Sequence, residues 1–289
     1  MRKKALITGI TGQDGSYLSE LLLKKNYQVH GLIRRVAAED KTHRLWRLKH
    51  LLNKITIHPA SLESYASMVK IIQKVKPHEV YHLGAQSYID YAFKDEFSTI
   101  NTNINGTHFL LSAIKEFSPK TKFYFAASSE MFGKVLEIPQ TEKTPFYPRS
   151  TYGISKVAGF DLTRNYREAY GLFCCSGILF NHESPRRGFE FVTRKITHAV
   201  ARIKYGLQKD LKLGNMDAKR DWGHAEDYVK AMWMMLNKKT PEDFVISTGK
   251  QYSVRDFAKL AFKFVNLDYK KYVKTDKKLE RPADVQDLL

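Results

Sequence analysis

Three glycines at a fixed spacing, directly after a short apolar run, constrain the fold of this chain more than any other feature. Ala5–Thr8 is predicted to form a strand, and Gly9, Gly12 and Gly15 follow it in the pattern G-x-x-G-x-x-G. Asp14–Lys25 then shows the apolar spacing of an amphipathic helix. This order places backbone N–H groups and the positive end of a helix where a dinucleotide pyrophosphate binds. The sequence therefore predicts a Rossmann-type fold.

The sequence after this turn alternates short apolar or β-branched runs with longer helical patterns. Strands are predicted over residues 27–33, near 55, and over 79–83, 122–126 and 173–179, and helices over residues 64–74, 101–116 and 152–170. A helix rich in Leu and Arg is also expected to follow the second strand, up to about Leu52. This alternation predicts an α/β fold with a doubly wound parallel sheet.

The character of the sequence changes after Asn181. The segment 182–188 is polar and rich in turn residues. Short strands near 212–213, 244–247 and 252 and helices over 192–205, 224–236 and 254–265 are predicted beyond it. We therefore expect a dinucleotide-binding Rossmann domain over residues 1–180, with a returning segment near 215–240, and a smaller mixed α/β substrate-binding lobe over most of 181–289.

Composition limits the classes of function. The formal net charge of +18 is compatible with nucleic-acid binding, but the lysines are scattered and no Arg-rich tail or aromatic–basic repeat is present. No apolar run is long enough to cross a bilayer, and the N-terminus does not read as a secretory signal. Cys174 and Cys175 are adjacent in an apolar run, which indicates buried thiols in a reducing, cytoplasmic compartment and no zinc site.

Two arginines, Arg34 and Arg35, end the second predicted strand. An NAD site usually has an acidic residue there, which binds the ribose hydroxyls, whereas a basic residue suits a 2′-phosphate. The cofactor is therefore expected to be NADP, with Arg35 the better candidate for the phosphate and Arg34 next. The alternative is that both arginines extend a charged loop. Thr11, in the glycine turn, is a further candidate for cofactor binding.

Four side chains form the predicted catalytic set. Tyr152 and Lys156 are four residues apart in a predicted helix, so both project from one face. An ammonium group near a phenol lowers the pKa of the phenol and gives a base that takes a hydroxyl proton while hydride leaves to a nicotinamide. Ser128 and Glu130 follow a predicted strand and can meet that face at the edge of the sheet. Ser128 can hydrogen-bond the hydroxyl at the oxidised carbon.

Glu130 indicates the type of reaction. A 4,6-elimination on a sugar needs a group that removes the C5 proton next to a new C4 carbonyl and then protonates the leaving C6 hydroxyl. A carboxylate can do both. A keto-reductase or epimerase of the same fold does not need such a group, and it stays as the alternative reaction class.

Several longer segments resemble the GDP-mannose 4,6-dehydratase family of extended short-chain dehydrogenase/reductases. They are Ala5–Leu18 (ALITGITGQDGSYL), Leu83–Ser87 (LGAQS), and the segments 128–134, 140–152, 177–188 with its N-H-E-S-P-R-R-G, 191–197 and 220–229. Together they extend over essentially the whole chain. The resemblance implies dehydration of GDP-mannose to GDP-4-dehydro-6-deoxy-D-mannose with NADP regenerated in place. A GDP-manno-heptose is the alternative substrate.

The resemblance also implies roles for individual residues. Against the cofactor pyrophosphate it places Gly9, Gly12, Gln13, Asp14 and Gly15. Against other parts of the cofactor it places Ser61, Leu62, Leu83, Ala85, Ser87, Lys156, His182 and Arg187. Against the GDP-sugar it places Ser87, Asn181, Val192, Lys195, Gly214, Arg220 and Arg281. Guanidinium groups suit a diphosphate, because they present two parallel donors to its oxygens.

The sequence departs from the family pattern in a few places. Ser128 stands where the best-known members carry threonine, and Ser61-Leu62 stands where the family has Asp-Leu. The loop after Arg35 lacks much of the Ser/Asn/Thr pattern with which the family joins protomers, and the second lobe is expected to be shortened at its C-terminus. We expect a homo-oligomer, either a dimer or a tetramer.

Overall fold

The computed structural model describes residues 2–279 and 287–288. Its strands are β1 (Lys4–Thr8), β2 (Gln28–Ile33), β3 (Thr56–Pro59), β4 (Glu79–His82), β5 (Lys122–Ser128), β6 (Cys174–Leu179), β7 (Asn181–Glu183), β8 (Leu211–Leu213), β9 (Lys219–His224), β10 (Phe244–Ile246), β11 (Gln251–Ser253), β12 (Val273–Thr275) and β13 (Asp287–Leu288). The strands predicted in the first 180 residues are confirmed within a few residues at each end.

Within the described residues, seven strands form one parallel sheet in the order β10-β6-β5-β4-β1-β2-β3. The chain starts at β1 in the interior of the sheet, adds β2 and β3 on one side, and then adds β4, β5 and β6 on the other. This reversal at β1 is the switch point of a doubly wound sheet, where ligands bind beyond the carboxyl ends of the strands. The predicted fold class is confirmed.

The helices connect these strands. They are α1 (Gln13–Lys24), α2 (Arg35–Glu39), α3 (Lys41–Arg44), α4 (Tyr65–Val75), α5 (Ile89–Ala92), α6 (Glu96–Ile100), α7 (Gly106–Phe117), α8 (Thr151–Tyr170), α9 (Val192–Lys204), α10 (Ala225–Leu236), α11 (Val254–Phe264) and α12 (Tyr269–Tyr272). A π-helical segment, Asn101–Asn105, joins α6 to α7. Long amphipathic patterns were therefore good predictors of α1, α4 and α7 to α11.

Both faces of the large sheet are covered. On one face α1 and α10 bury apolar side chains such as Leu18, Leu22 and Met232. On the other face α4 and α7 bury side chains such as Ile72 and Leu110. Each fully buried side chain of this kind contributes about 1.5–3 kcal/mol of transfer free energy. The sheet is thus a rigid platform whose carboxyl edge can hold a site.

A separate apolar cluster supports the second half of the chain. It lies between α9, β8 and α11 and includes Ile196, Val200, Leu211 and Phe262. Between these elements the chain returns to the large sheet, because α10 packs in the same core as α1 and β10 pairs with β6. The strands β7, β9, β11 and β13 form a small sheet next to the large one.

The single helix expected up to about Leu52 is wrong. The segment instead contains the short helices α2 and α3 and a 3-10 turn, Trp46–Leu48. The break comes at Asp40, whose side chain accepts a hydrogen bond from the backbone N–H of His43 at 3.2 Å. An aspartate side chain that bonds a nearby backbone amide competes with helix continuation. The helical pattern is thus interrupted by one local polar contact.

Three further observations concern function classes. Across residues 2–279 and 287–288, no helix has both the length and the apolar character that a membrane span requires. In the same residues, no group of three or more His, Cys, Asp or Glu side chains is arranged to hold a metal ion. Cys174 and Cys175 are free thiols buried in β6, as predicted for that strand.

Candidate active site

A cavity of about 330 Å³ lies beyond the carboxyl ends of β4, β5 and β6. Its floor includes Ser128 at the end of β5 and Leu179 at the end of β6, and its side includes Leu83 just after β4. The opposite wall comes from β7, α9 and β9. This is the position at which open parallel sheets bind ligands.

The four predicted catalytic residues all line this cavity. Ser128 is the last residue of β5, and Glu130 lies in the 3-10 turn that follows it. The backbone N–H of Glu130 donates to the Ser128 hydroxyl oxygen at 3.3 Å. Tyr152 and Lys156 project from the first turns of α8. The structure therefore brings together a hydroxyl, a carboxyl, a phenol and an amine.

Local sequence explains why α8 starts beside Glu130. The Ser150 hydroxyl accepts a hydrogen bond from the N–H of Gly153 at 3.0 Å and caps the helix. A Cβ atom on Gly153 would lie 2.8 Å from the carbonyl oxygen of Glu130, so only glycine lets the two backbones approach this closely. The cap and the glycine together set the distance between the two halves of the catalytic set.

Lys156 is a buried amine with a backbone partner. Its side chain is only 4% exposed, and its Nζ donates to the carbonyl oxygen of Ala126 at 2.7 Å. Burial lowers the pKa of Lys156 to about 8, because the low-dielectric surroundings disfavour the charged form. Its Nζ lies 5.7 Å from the centroid of the Tyr152 ring.

The pKa of Tyr152 moves in the direction opposite to the prediction. Burial raises it to about 12, a hydrogen bond with the Ser128 side chain lowers it, and the charge of Glu130 raises it. The Lys156 ammonium, which was expected to lower this pKa, is bonded to the Ala126 carbonyl instead. The expected lowering of the Tyr152 pKa by Lys156 is therefore not found in this arrangement, and burial has the largest effect on that pKa.

The glycine turn has the shape of a phosphate-binding turn. Gly9 has a φ of 71°, and a Cβ atom there would lie 2.7 Å from the backbone nitrogen of Gly84. The N–H of Gly12 donates to the Gly9 carbonyl at 3.0 Å. Gly12 is also the N-cap of α1 and brings no side chain to the first N–H groups of the helix. Backbone and helix end are therefore accessible to an anionic group.

The predicted cofactor residues fall into two groups. Those that line the cavity are Asp14, Leu83, Ala85, Ser87, Lys156, His182 and Arg187. Those that lie outside its wall are Gly9, Thr11, Gly12, Gln13, Gly15, Arg34, Arg35, Ser61 and Leu62. The second group belongs to the glycine turn and to the ends of β2 and β3, which lie along the same edge of the sheet as the cavity.

Members of the second group have defined surroundings. Leu62 packs against the backbone at Gly84, since a Cβ there would meet its Cδ1 at 3.0 Å. The Ser61 hydroxyl oxygen accepts from the N–H of Glu63 at 3.2 Å. Arg34 is exposed at the N-cap of α2, and the exposed Arg35 pairs with Glu39 at 2.9 Å.

The predicted substrate residues in the described part of the chain line the cavity. They are Ser87, Asn181, Val192, Lys195, Gly214 and Arg220. Arg220 is 7% exposed, and its Nη1 donates to the carbonyl oxygen of Lys219 at 2.8 Å. Arg281 lies outside the described residues.

Several cavity residues were missed by sequence reasoning. Tyr88, Asp90, Glu183 and Phe191 line the same cavity. The Tyr88 hydroxyl donates to an Asp90 carboxylate oxygen at 2.8 Å, and the Tyr88 and Phe191 rings meet edge to face with centroids 5.8 Å apart. Tyr88 directly follows LGAQS, and Glu183 belongs to N-H-E-S-P-R-R-G, so adjacency to these segments was the available signal.

Comparison with known proteins agrees with this geometry. Residues 6–289 match the family model described as GDP-mannose 4,6 dehydratase. The chain belongs to the GDP-mannose 4,6-dehydratase family. A curated relative, GDP-mannose 4,6 dehydratase 2 of Caenorhabditis elegans, is 48% identical over 315 residues, which include 100% of this chain and 81% of that protein. The resemblance found in the sequence is confirmed.

Solved structures share the fold of this family member. UDP-glucose 4-epimerase of Thermus thermophilus, in complex with NAD, matches with a TM-score of 0.85 and 21% identity, over 99% of this chain and 89% of that one. RMD of Pseudomonas aeruginosa, complexed with NADPH, matches with a TM-score of 0.79 and 24% identity, over 95% and 87%. At these identities the likeness supports the fold alone.

Proposed function

We propose that this protein is an NADP-dependent hydro-lyase that dehydrates GDP-mannose to GDP-4-dehydro-6-deoxy-D-mannose. Membership of the family and 48% identity to a GDP-mannose 4,6 dehydratase support the dehydration of GDP-mannose. The structural observation that carries the proposal is Glu130, a carboxyl group beside Ser128 and Tyr152 in one cavity. A 4-keto reductase or epimerase, the alternative reaction class, has no use for a carboxyl group at this point.

Oxidation at C4 is assigned to Tyr152 and Ser128. NADP, when bound, would serve as hydride acceptor and donor, and its positively charged ring would favour a nearby phenolate. Tyr152 takes the proton of the C4 hydroxyl, and Ser128 holds that hydroxyl through a hydrogen bond. The buried Lys156 ammonium adds positive charge on the same side of the cavity.

Elimination is assigned to Glu130. The C4 carbonyl makes the C5 proton acidic, and the Glu130 carboxylate removes it. The same carboxyl then protonates the departing C6 hydroxyl, so that water leaves and a C5–C6 double bond remains. C6 then receives the hydride that left C4, and C5 receives the proton that Tyr152 accepted, which completes the product. The reaction is redox-neutral overall, and each proton that a side chain accepts is returned.

A nicotinamide dinucleotide is supported by the shape of the glycine turn and by structural neighbours solved with NAD or NADPH. The choice of NADP rests on the exposed arginines Arg34 and Arg35 at the end of β2. A guanidinium group there suits the additional 2′-phosphate of NADP.

The GDP-sugar is assigned to the wall formed by β7, α9 and β9. Arg220 and Lys195 bring positive charge to this wall, which suits a diphosphate. Arg187, which is assigned to the cofactor, has its guanidinium 3.6 Å from the Phe191 ring centroid. We also propose a cytoplasmic homo-oligomer, a dimer or a tetramer, which sedimentation of the purified protein tests.

The proposal is tested by incubating the protein with GDP-mannose and catalytic NADP and following the sugar nucleotide by mass spectrometry. The expected result is the loss of one water with no net change in NADP. A parallel reaction with NAD tests the cofactor, and one with a GDP-manno-heptose tests the sugar. An unchanged GDP-mannose mass, with turnover of the heptose only, would contradict the assigned substrate.

A further inference from the structure

A buried histidine–carboxylate pair joins the glycine turn to the wall of the cavity. Nε2 of His182, in β7, lies 2.7 Å from Oδ2 of Asp14 in the first turn of α1. Nδ1 of the same ring lies 2.8 Å from the carbonyl oxygen of Phe180. A carbonyl oxygen and a carboxylate only accept hydrogen bonds, so both ring nitrogens donate, and His182 is held as an imidazolium.

The charge state agrees with this geometry. Burial opposes a charged ring, but the charge and hydrogen bond of Asp14 outweigh it and raise the pKa of His182. Burial likewise opposes the charged carboxylate, but His182 outweighs it and lowers the pKa of Asp14. Both shifts favour the ionised pair, in which each member neutralises the charge of the other.

Further contacts hold β7 and its neighbouring residue in place. The Gln13 side-chain amide donates to the His182 carbonyl oxygen at 3.0 Å, and the Ser184 hydroxyl donates to the Gln13 amide oxygen at 2.8 Å. The His182 ring stacks on Tyr228 of α10, with centroids 4.3 Å apart. The strand β7 and the residue after it are thus held to α1 through the His182 ring, the His182 carbonyl group and the Ser184 hydroxyl.

The two ends of this connection belong to different proposed sites. Asp14 follows Gly12 in the turn assigned to the cofactor pyrophosphate, and it would repel that group if His182 did not neutralise it. Asn181, next to His182, lies in the wall assigned to the GDP-sugar. The start of α1 and β7 are therefore in direct contact between the two proposed sites.

We infer that Asp14 and His182 form a positioning latch that couples the two binding sites, so that each nucleotide increases the affinity of the other. The identity of the two ligands rests on the proposed function, but the coupling does not. Such coupling is reciprocal by thermodynamic linkage and typically changes affinity about 5- to 150-fold. The ring nitrogens of His182 are engaged within the protein, so the coupling is separate from the direct cofactor contacts that the resemblance assigns to Asp14 and His182.

The test is calorimetric binding of GDP to the full chain, with and without saturating NADP. The unsubstituted protein is expected to bind GDP at least about fivefold more tightly when NADP is present. In His182→Gln and in the nearly isosteric Asp14→Asn, this ratio is expected to fall to about one. A merely structural role would instead lower thermal stability or both affinities and leave the ratio unchanged.

His50→Gln is the matched control. His50 lies 2.6 Å from the carboxylate of Glu20, also on α1, but its side chain is half exposed and outside the cavity wall. This variant should keep the ratio of the unsubstituted protein. A ratio of one in the unsubstituted protein, or an unchanged ratio in Asp14→Asn, would overturn the latch. Turnover of GDP-mannose is measured separately, so coupled binding without dehydration would contradict the proposed function and leave the latch standing.

Discussion

The two ends of the proposed cofactor site differ in burial. At the end that holds the proposed catalytic residues, Ser128, Tyr152 and Lys156 are 9%, 8% and 4% exposed. At the far end, the Arg35 side chain is 88% exposed and pairs with Glu39, one helical turn away. Both ends carry charge-dependent chemistry, but one does so in a low-dielectric pocket and the other in water.

This difference sets the size of each electrostatic effect. Among the catalytic residues, burial raises the pKa of Tyr152 to about 12 and lowers the pKa of Lys156 to about 8, because the low-dielectric surroundings disfavour a charged group. At the exposed end each ion pair is worth about 0–1 kcal/mol. Substitutions of the buried catalytic residues should therefore change the turnover rate by orders of magnitude. Substitutions of Arg34 and Arg35 should change only the preference between NADP and NAD.

The largest effect is expected from Tyr152→Phe. Removing the hydroxyl removes the base for C4 oxidation, so kcat/KM with GDP-mannose should fall about 10²- to 10⁴-fold. Steady-state turnover measured by mass spectrometry checks this. Tyr170→Phe, at the exposed end of the same helix, is the control and should be indistinguishable from the unsubstituted protein. Comparable losses in both variants would contradict the assigned role.

Lys156→Met should lose most turnover and yet gain stability. The folded-state pKa of about 8 lies below the ordinary 10.5, so between these values the unfolded chain binds the extra proton and stability rises with pH. Below pH 8 the buried charge costs about 3 kcal/mol. At pH 7 the variant should therefore unfold at higher urea concentration, and the gain should shrink as pH rises from 8 towards 10.5.

Lys122→Met is the control for that experiment. The Lys122 Nζ also donates to a backbone carbonyl oxygen, that of Leu236, at 2.7 Å, but it is outside the cavity wall. It should keep full turnover and show no gain in stability. A gain of equal size in both variants would mean that the effect comes from the methionine and not from removal of the Lys156 charge.

A smaller effect is expected from the double variant Arg34→Ala/Arg35→Ala. Loss of charge at the end of β2 should weaken NADP binding about tenfold and leave NAD binding nearly unchanged, because only NADP carries the 2′-phosphate. Fluorescence titration with both cofactors measures this. Arg44→Ala, an exposed arginine of α3, is the control. Equal weakening for NAD and NADP would place the phosphate elsewhere.

The smallest effect is expected from Ser128→Thr. Threonine keeps the hydroxyl that contacts Tyr152 and accepts from the Glu130 N–H at 3.3 Å. Turnover should change less than about threefold, whereas Ser128→Ala should lose far more because the hydroxyl itself is removed. Equal losses in the two variants would show that packing, not the hydroxyl, decides the contribution of this position.

Much of the fold was predictable because its signals are local. The glycine turn after β1 and the apolar spacing in α1 and α4 identify elements without reference to the rest of the chain. The break at Asp40 was not predictable from periodicity, since a single side chain-to-backbone bond ends the helix. Local polar chemistry outweighed the apolar pattern there.

The candidate site was likewise predictable from the sequence only in part. Motif spacing was enough to bring Tyr152 and Lys156 to one helix face. The direction of the Tyr152 pKa was not predictable, because burial by the surrounding elements decides it. The contact between Asp14 and His182, 168 positions apart in the chain, was equally hidden, because only the folded sheet brings their elements together.

The most direct test of the account is a single turnover of Glu130→Gln. The central claim is that Glu130 performs the elimination and that Tyr152, Ser128 and Lys156 perform the oxidation. The variant is mixed with NADP and one equivalent of GDP-mannose, and both the absorbance of reduced nicotinamide and the mass of the sugar nucleotide are followed. The account predicts that reduced cofactor accumulates while no water is lost. Dehydration at the rate of the unsubstituted protein would contradict it.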